Sequence, residues 1–151
     1  MKALVQRVKY ARVTINGQEI RETGPGLLVL YGCAAGDDIA DCRKLAEKTA
    51  NLRIFTDSEG KMNMSALQLG LSAMVVSQFT LLADTKKGHR PSFIEAAKPP
   101  LAVDAYEEYV RILSSMGLKE VKTGEFGAHM DVEICNDGPV TVMLDTQEWK
   151  R

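Results

Sequence analysis

The 151 residues, with a mass of 16.6 kDa, are predicted to form one domain over residues 1–151, because two domains of that total length would each bury little core. Hydrophobic residues make up 45% and charged residues 26% of the chain, a globular composition that excludes a disordered protein. With 19 basic and 20 acidic residues the net charge is −1, which argues against broad coating of nucleic acid but allows a local contact with RNA.

Neither a targeting segment nor a membrane span is predicted. Lys2 and Arg7 interrupt the first apolar stretch, and the other apolar runs fall far short of the ~20 residues that a span needs. The three cysteines, Cys33, Cys42 and Cys135, are scattered and odd in number, which favours a reducing cytoplasm. With no C-x-x-C pair and only two histidines, we expect no metal site.

The first half of the chain is mainly strand-like. Apolar residues alternate before Asn16-Gly17, which is a strong hairpin signal. Strands are expected at residues 4–15, 19–22, 27–31, 52–55 and 73–82. One helix is expected from about residue 38 to residue 50, with Asp37 and Asp38 as caps.

The second half begins with a polar, proline-containing loop over residues 84–100. A helix over residues 101–116 follows, because its apolar residues form a single stripe that ends at Gly117. The last strands are expected at residues 119–123, 129–135 and 140–144. Together these elements predict an α+β fold with mostly antiparallel strands and two main helices.

Common catalytic motifs are absent: the sequence has no G-x-S-x-G elbow, no Walker loop and no H-E-x-x-H. What remains is a polar interruption of the strand over residues 73–82. Alternation places Ser77 and Phe79 on one face, and Gln78 and Thr80 on the other. Taken alone, this pattern is explained by a half-buried strand whose polar face meets solvent.

A second interruption is Asn136-Asp137-Gly138-Pro139-Val140-Thr141. Taken alone, Gly-Pro before an apolar run is a turn that leads into a strand. A cis Gly138–Pro139 bond is a second interpretation, since an X-Pro bond costs only about 0.5–1 kcal/mol in the cis state. Its two flanking carbonyl oxygens would point the same way and could accept hydrogen bonds from an ammonium group.

Together these segments resemble the two signatures of the D-aminoacyl-tRNA deacylases of the bacterial and eukaryotic type. The likeness is collinear over essentially the whole chain. Its further matching segments are Val5–Val8, Gly60–Asn63, Lys87–Phe93 and Gly124–Met130. The resemblance implies a barrel-like homodimer with active sites at the subunit interface and no metal or other cofactor. It implies hydrolysis of the ester between a D-amino acid and the terminal adenosine of tRNA, with glycyl-tRNA as a further substrate and neither DNA nor a membrane as partner.

For catalysis, an aminoacyl ester is already activated, so a positioned water can attack it if the oxyanion is stabilised. Backbone N–H groups near Phe79 and Thr80, with the Gln78 amide, are the candidate donors, and Ser77 is expected to position this segment or a water. Thr80 as nucleophile ranks second, because no base lies beside it in sequence. Assistance by the 2′-hydroxyl of the tRNA is a further conjecture.

For substrate binding, the resemblance implies that Gly138 and Pro139, with Val140 and Thr141, reach in from the partner subunit. Their carbonyl oxygens would hold the α-amino group, so that an L side chain would meet backbone while glycine would be admitted. Arg7 would fix the Gly-Pro carbonyls, or is an ordinary surface arginine.

The remaining assignments concern the tRNA. Phe126 and Met130 would line an adenosine pocket, or belong to the core. His129 receives no role, because many relatives carry an acid there. The residues expected to meet the acceptor end, unless they form a solvated basic loop, are Lys86, Lys87, Arg90 and Phe93. The rival hypothesis is a non-catalytic dimer that binds tRNA or another ligand on the same scaffold.

Overall fold

The computed structural model describes residues 1–150 and contains eight strands and three α-helices within that range. The strands are β1 (Lys2–Ile15), β2 (Glu19–Thr23), β3 (Gly26–Gly32), β4 (Phe55–Thr56), β5 (Met62–Met64), β6 (Ser72–Ser77), β7 (Val121–Thr123) and β8 (Met130–Asp145). The helices are α1 (Asp41–Ala50), α2 (Ala66–Leu69) and α3 (Leu101–Ser114). The predicted α+β class is confirmed.

The long strand β1 organises the main sheet. Along one edge it pairs with β3 through residues 2–8 and with β2 through residues 11–15, and β8 runs antiparallel to it on the other side. The sheet continues from β3 to β6 and β7, and both of these added pairings are parallel. The side chains of Arg21 and Lys122 connect β2 to β7 and its end, so the sheet is barrel-like and nearly closed.

Two apolar clusters hold the sheet. One lies between the sheet and the helices α1 and α3, where the Tyr31 and Tyr109 rings stack 4.8 Å apart and the Tyr109 hydroxyl donates to Thr49. The other consists of aliphatic residues and one methionine inside the curved sheet: Val8, Ala11, Val13, Ile15, Leu28, Met74 and Val76. Because Leu28, Met74 and Val76 face this interior while Tyr31 and Val75 face the helices, both faces of β3 and β6 are covered.

Four predicted strands are corrected. The strand expected over residues 73–82 ends at Ser77, and a 3-10 turn over Phe79–Leu82 follows. The strand expected over residues 52–55 is reduced to Phe55–Thr56. Residues 129–135 and 140–144 belong to one strand, β8, with register shifts against β1 near Asn136.

The helix α2 was not predicted, although its capping box is visible in the sequence. Ser65 accepts from the Gln68 N–H at 3.1 Å, and the Gln68 side chain accepts from the Ser65 N–H at 2.9 Å. The predicted helices over residues 38–50 and 101–116 are shorter in the structure. Among the described residues no helix is long and apolar enough to cross a membrane.

Candidate active site

The parallel pairing of β3 and β6 brings two chain ends to one edge of the sheet. Tyr31 lies beside Ser77, and the Gln78 N–H donates to the Tyr31 carbonyl oxygen at 2.7 Å. The chain then turns tightly over Gly32, where a Cβ atom would lie 2.6 Å from the Leu82 side chain and 3.0 Å from the Gln78 carbonyl oxygen. Glycine at position 32 therefore allows the turn to pack closely on β3.

The 3-10 turn exposes backbone donors. The first N–H groups of any helical turn have no acceptor within the turn. Within residues 1–150, no acceptor is recorded for the N–H of Phe79 or Thr80. Phe79 and Thr80 are both exposed, and the Gln78 amide donates to the Thr80 hydroxyl. Two free N–H groups thus sit at the end of β6, beside the only side-chain hydroxyl of the turn.

A cleft of about 310 Å³ opens beside this turn. It joins the end of β6 to the segment that leads into β8, so three of the four predicted catalytic residues and both predicted adenosine residues line it, whereas Thr80 lies next to Phe79 outside the lining. Its lining includes Ser77, Gln78, Phe79, Phe126 and Met130 from the sequence-based predictions. It also includes residues that the sequence analysis did not assign, namely Tyr31, Cys33, Ala97, Ala102, Gly127, Ala128, His129 and Val132.

The cleft holds no activated nucleophile. Burial, with a smaller contribution from the Asp37 charge, raises the pKa of the Cys33 thiol to about 11. Burial also raises the pKa of Tyr31. Both groups are therefore neutral near pH 7, and a neutral thiol is a weak nucleophile. Within the described chain, Thr80 has Gln78 as its only side-chain partner and no base to remove its proton.

The Gly138–Pro139 turn lies in β8, and its peptide bond is cis. Both residues are exposed, whereas the backbone around them is held by side chains. Asn136 accepts from the Val140 N–H at 2.9 Å and donates to the Val140 carbonyl oxygen at 3.1 Å. The turn is therefore closed by a side chain that replaces ladder hydrogen bonds.

Arg7 holds the turn from β1. Its guanidinium donates to the carbonyl oxygens of Asp137 and Ile54, each at 2.7 Å. The expected partners were the carbonyl oxygens of Gly138 and Pro139. Arg7 instead contacts the carbonyl oxygen of Asp137, one residue before Gly138. Charge-assisted hydrogen bonds of this kind are stronger than neutral ones, and they fix where the turn stands relative to β1.

Within one chain, the turn stands apart from the cleft, because residues 137–141 are not among those that line it. Val140 is buried in the core of its own chain, whereas Thr141 is exposed and its hydroxyl accepts from the Gln6 amide at 3.2 Å. The structure therefore does not bring Gly138 and Pro139 to Phe79 within one chain.

The basic loop lies at the edge of the cleft. Asp84 and Ser92 exchange two backbone hydrogen bonds of 2.8 and 2.9 Å, which close the loop between them. The Phe93 ring packs edge-on against Phe79, with ring centres 5.0 Å apart. The exposed cations on this loop are Lys86, Lys87 and Arg90.

The unassigned lining residues could not be found from local patterns. Tyr31 and Cys33 lie near the end of β3, which meets β6 only because these two strands are parallel. That pairing was not predicted, and no short-range signal indicates it. His129 was visible in the Gly124–Met130 match. Within residues 1–150, no three side chains of the metal-binding types lie together.

Comparison with known proteins bears on this site and fold. The family model for D-Tyr-tRNA(Tyr) deacylase matches residues 4–145. Proteins named D-aminoacyl-tRNA deacylase from Dehalococcoides mccartyi and Thermosipho africanus are 53% and 49% identical over 148 residues. These matches cover 98% of this chain and 96% and 99% of the relatives.

Two solved structures are similar in fold to this chain. One, described as c-Myc DNA Unwinding Element Binding Protein, is 38% identical with a TM-score of 0.89, covering 96% of this chain and 98% of that chain. Another, described as a probable eukaryotic D-amino acid tRNA deacylase, is 13% identical with a TM-score of 0.84, covering 95% and 97%, and shows the shared fold. The class of enzyme that these matches define is the deacylases, which are hydrolases. The chain belongs to the D-aminoacyl-tRNA deacylase family, which confirms the resemblance seen in its two signatures.

Proposed function

We propose that this protein hydrolyses the ester that joins a D-amino acid to the terminal adenosine of tRNA and releases the free D-amino acid and tRNA. The observation that carries the proposal is the cleft at the end of β6, where free backbone N–H groups lie beside a mostly apolar lining. The family match supplies the substrate class, since the relatives are named D-aminoacyl-tRNA deacylase.

The pocket chemistry suits a nucleoside ester. Phe126 and Met130 flank the cleft and can hold the adenine base by stacking and by contact with sulfur. With the base held there, the ester of the terminal ribose is directed toward Phe79. Apolar side chains make up the larger part of the lining, with Ser77 and Gln78 as polar groups at the end of β6.

In the proposed reaction, water attacks the ester carbonyl carbon and forms a tetrahedral intermediate. The N–H groups of Phe79 and Thr80 donate to the negative oxygen as it forms. Collapse of the intermediate breaks the bond to the ribose oxygen, which takes up the proton that the water lost. A preorganised donor of this kind typically lowers the barrier by about 2.7–4 kcal/mol. No side chain of the cleft needs to become covalently bound.

Water is favoured over Thr80 as nucleophile. In the described chain, the Thr80 hydroxyl accepts from Gln78, and no imidazole, carboxylate or amine contacts it. The role of Gln78 is then to hold the turn and to offer its second N–H to the substrate. Ser77 is the last residue of β6, just before this turn, and it lines the cleft, where it would orient the attacking water.

Selection of the D form is assigned to a second copy of the chain. The outer edge of β8 carries no strand in the described structure, and Val132 and Met143 on β8 are 40% and 45% exposed. A homodimer formed along this edge of β8 would cover these side chains and could bring Gly138 and Pro139 to the cleft of the partner. The carbonyl oxygens of the turn would then accept from the α-ammonium of the substrate.

This arrangement rejects L-amino acids by contact with backbone. A wall of main-chain atoms cannot move aside as a side chain can, so rejection exceeds the ~1–3 kcal/mol that one methylene provides in a pocket. Glycine has no side chain to reject, and glycyl-tRNA is therefore a second substrate.

We place the reaction in the cytoplasm, in keeping with three free cysteines.

The basic loop completes the proposal. Lys86, Lys87 and Arg90 are exposed beside Phe93, which itself packs on Phe79 at the cleft. Phosphate contacts from this loop would position the acceptor end without reading its sequence.

The decisive experiment compares D-Tyr-tRNA with L-Tyr-tRNA under single-turnover conditions, with glycyl-tRNA as a third substrate. We expect rapid release of D-tyrosine and glycine and no enzymatic release of L-tyrosine. Equal rates on the D and L forms would reject the chiral mechanism. Binding of tRNA without ester loss would instead support the non-catalytic rival, and sedimentation of the same sample reports the oligomeric state.

A further inference from the structure

Arg21 crosses the gap between β2 and β7, the two strands of the main sheet that do not pair with each other. Its Nη1 atom donates to the carbonyl oxygens of Thr123 and Gly124, at 2.9 and 3.2 Å. Its Nε atom donates to the Glu19 carboxylate at 3.1 Å, which orients the guanidinium. Arg21 therefore holds two successive peptide groups where β7 ends.

These two peptide groups stand at the start of the cleft wall, which is the segment of residues 124–130. Phe126 and Met130, the side chains that would hold the adenine, belong to this segment and line the cleft. Residues 124–129 form neither strand nor helix, so no ladder of hydrogen bonds fixes their position. Arg21 itself does not line the cleft, so it can act on a substrate only through this backbone.

The cleft wall is bonded to the rest of the backbone near its two ends. In the described chain, the Gly124 N–H donates to the Val75 carbonyl oxygen at 3.1 Å, and the His129 carbonyl oxygen accepts from the Asn16 N–H at 2.9 Å. A further bond of 3.2 Å closes a turn inside the wall. A shift of either end therefore moves the side chains between them.

The two ends of the wall also contact each other. Gly124 is buried, and a Cβ atom placed on it would overlap the Met130 Sδ atom. The position of the Gly124 backbone thus determines where the Met130 thioether can lie in the cleft. Because Arg21 bonds the Gly124 carbonyl oxygen, its guanidinium fixes this contact from outside the cleft.

We propose that Arg21 is a positioning residue for the nucleoside end of the substrate. By holding the Thr123 and Gly124 carbonyl oxygens, it fixes the cleft wall where its apolar side chains contact the adenine. The inference rests on the proposed function and adds to it a residue outside the cleft. The N–H groups that act on the ester belong to a different segment, the turn after β6. Loss of the guanidinium should therefore weaken binding and leave the chemical step nearly unchanged.

The variant Arg21→Met removes the donors and keeps the apolar part of the side chain. Stacking of a base on an aromatic side chain typically tightens binding by about 5- to 150-fold. A displaced wall loosens this contact without removing it, so we expect the lower end of that range, a rise of about fivefold in KM. The value of kcat should stay nearly unchanged, as it does when a mutation removes binding that substrate and transition state share.

The matched control is Lys122→Met. Lys122 crosses the same gap in the opposite direction, and its Nζ atom donates to the Glu22 carbonyl oxygen of β2 at 2.8 Å. In the described chain, Lys122 bonds to no residue of the cleft wall. Both variants replace a cation with methionine and lose a bond across the gap. We expect a similar fall in Tm for both, with KM raised only in Arg21→Met.

The experiment measures KM and kcat for 3′-O-D-tyrosyl-adenosine, together with the inhibition constant of adenosine as a competitor. The wild-type protein, Arg21→Met and Lys122→Met are compared at a temperature at which thermal unfolding shows that all three are folded. Arg21→Gln, which also lacks the guanidinium, takes the place of Arg21→Met if the methionine variant does not fold.

Support requires that loss of the guanidinium raise KM and the inhibition constant of adenosine by similar factors, with kcat nearly unchanged and Lys122→Met at the wild-type values. Unchanged binding in the Arg21 variant would overturn the proposal. A fall in kcat without a rise in KM would also overturn it, as would equal changes in the two variants, since any loosening of the gap would then have the same effect. Failure of the wild-type protein to hydrolyse both tyrosyl-adenosine and D-Tyr-tRNA would instead reject the proposed function and this inference with it.

Discussion

The turn that follows β6 and the Gly138–Pro139 turn of β8 both work through backbone atoms, but their hydrogen bonding is opposite. After β6, the N–H groups of Phe79 and Thr80 have no recorded acceptor in the described chain. At Gly138–Pro139, side chains bond the backbone on either side of the exposed pair. The first turn has donors to offer to a substrate, and the second has a fixed shape to present to one.

This contrast explains why the sequence shows no familiar catalytic motif. A backbone donor needs only a turn that leaves it free, and a rigid backbone wall needs only side chains that hold it in place. The residues with visible side-chain functions, Arg7 and Asn136, therefore act on the chain itself. Variants that change one turn and spare the other separate the two roles.

The largest effect is expected from removing a free donor. Phe79→Pro lacks the N–H at that position, while proline is tolerated at the first position of a helical turn. Loss of one oxyanion donor typically lowers kcat by about 10²- to 10³-fold. Phe79→Ala is the matched control, because it loses the ring but keeps the N–H. Single-turnover hydrolysis of D-Tyr-tRNA by both variants checks this, and equal rates for the two would exclude the N–H as a donor.

The next effect concerns the shape of the Gly138–Pro139 turn. A Cβ atom on Gly138 would lie 2.3 Å from the Val140 nitrogen and 2.8 Å from its Cγ2 atom, so the backbone must move in Gly138→Ala. A displacement of about 1 Å in a positioned group can cost about 100-fold in rate. We expect such a loss in kcat/KM for D-Tyr-tRNA.

Gly36→Ala serves as the control for the glycine substitution, since a Cβ atom there meets nothing within 4 Å. Thermal unfolding of both variants shows whether the protein remains folded. A Gly138→Ala protein that keeps the wild-type rate and the preference for the D form would contradict the placement of this turn at the substrate.

A smaller effect is expected where a side chain holds the turn. Arg7→Lys keeps the charge but cannot bond the Asp137 and Ile54 carbonyl oxygens with one planar fork. Hydrogen bonds to charged groups contribute about 1.5–3 kcal/mol, so the free energy of unfolding should fall by that amount. Urea denaturation measures the change, and kcat/KM should fall less than in Gly138→Ala. An unchanged stability would show that water replaces the guanidinium at little cost.

The two turns differ in how far they can be predicted from the sequence. The second was recognisable because proline and glycine constrain the backbone locally, and Asn136 and Val140 lie only four residues apart. The turn after β6 was mistaken for strand, because Phe79-Thr80-Leu81-Leu82 continues the apolar pattern of β6. After Ser77 the chain instead packs closely on β3, where a Cβ atom on Gly32 would lie 2.6 Å from the Leu82 side chain. Residues 32 and 82 are fifty positions apart, so no local pattern indicates this contact.

The same distinction holds for the whole fold. The hairpin at Asn16-Gly17 and the helix α3 were predictable, since both rest on short-range patterns. The parallel pairing of β3 with β6 was not, because no local signal reports which strands become neighbours. The cleft is built on that pairing. The two signature segments could therefore be recognised in the sequence, but it could not be predicted that Tyr31, Cys33 and His129 line the cleft beside the first of them.

The smallest effect is expected at Thr80, and it tests the choice of water as nucleophile. Thr80→Ala removes the acceptor of the Gln78 amide but leaves the Thr80 backbone N–H in place. One net hydrogen bond is worth about 0.5–1.5 kcal/mol, so kcat should change by less than about tenfold. Rapid-quench kinetics with D-Tyr-tRNA measures the rate, and mass spectrometry of the quenched wild-type protein looks for a covalent tyrosyl adduct. Complete loss of turnover in the variant together with such an adduct would make Thr80 the nucleophile, and the free N–H groups would then serve an acyl-enzyme instead of a water attack.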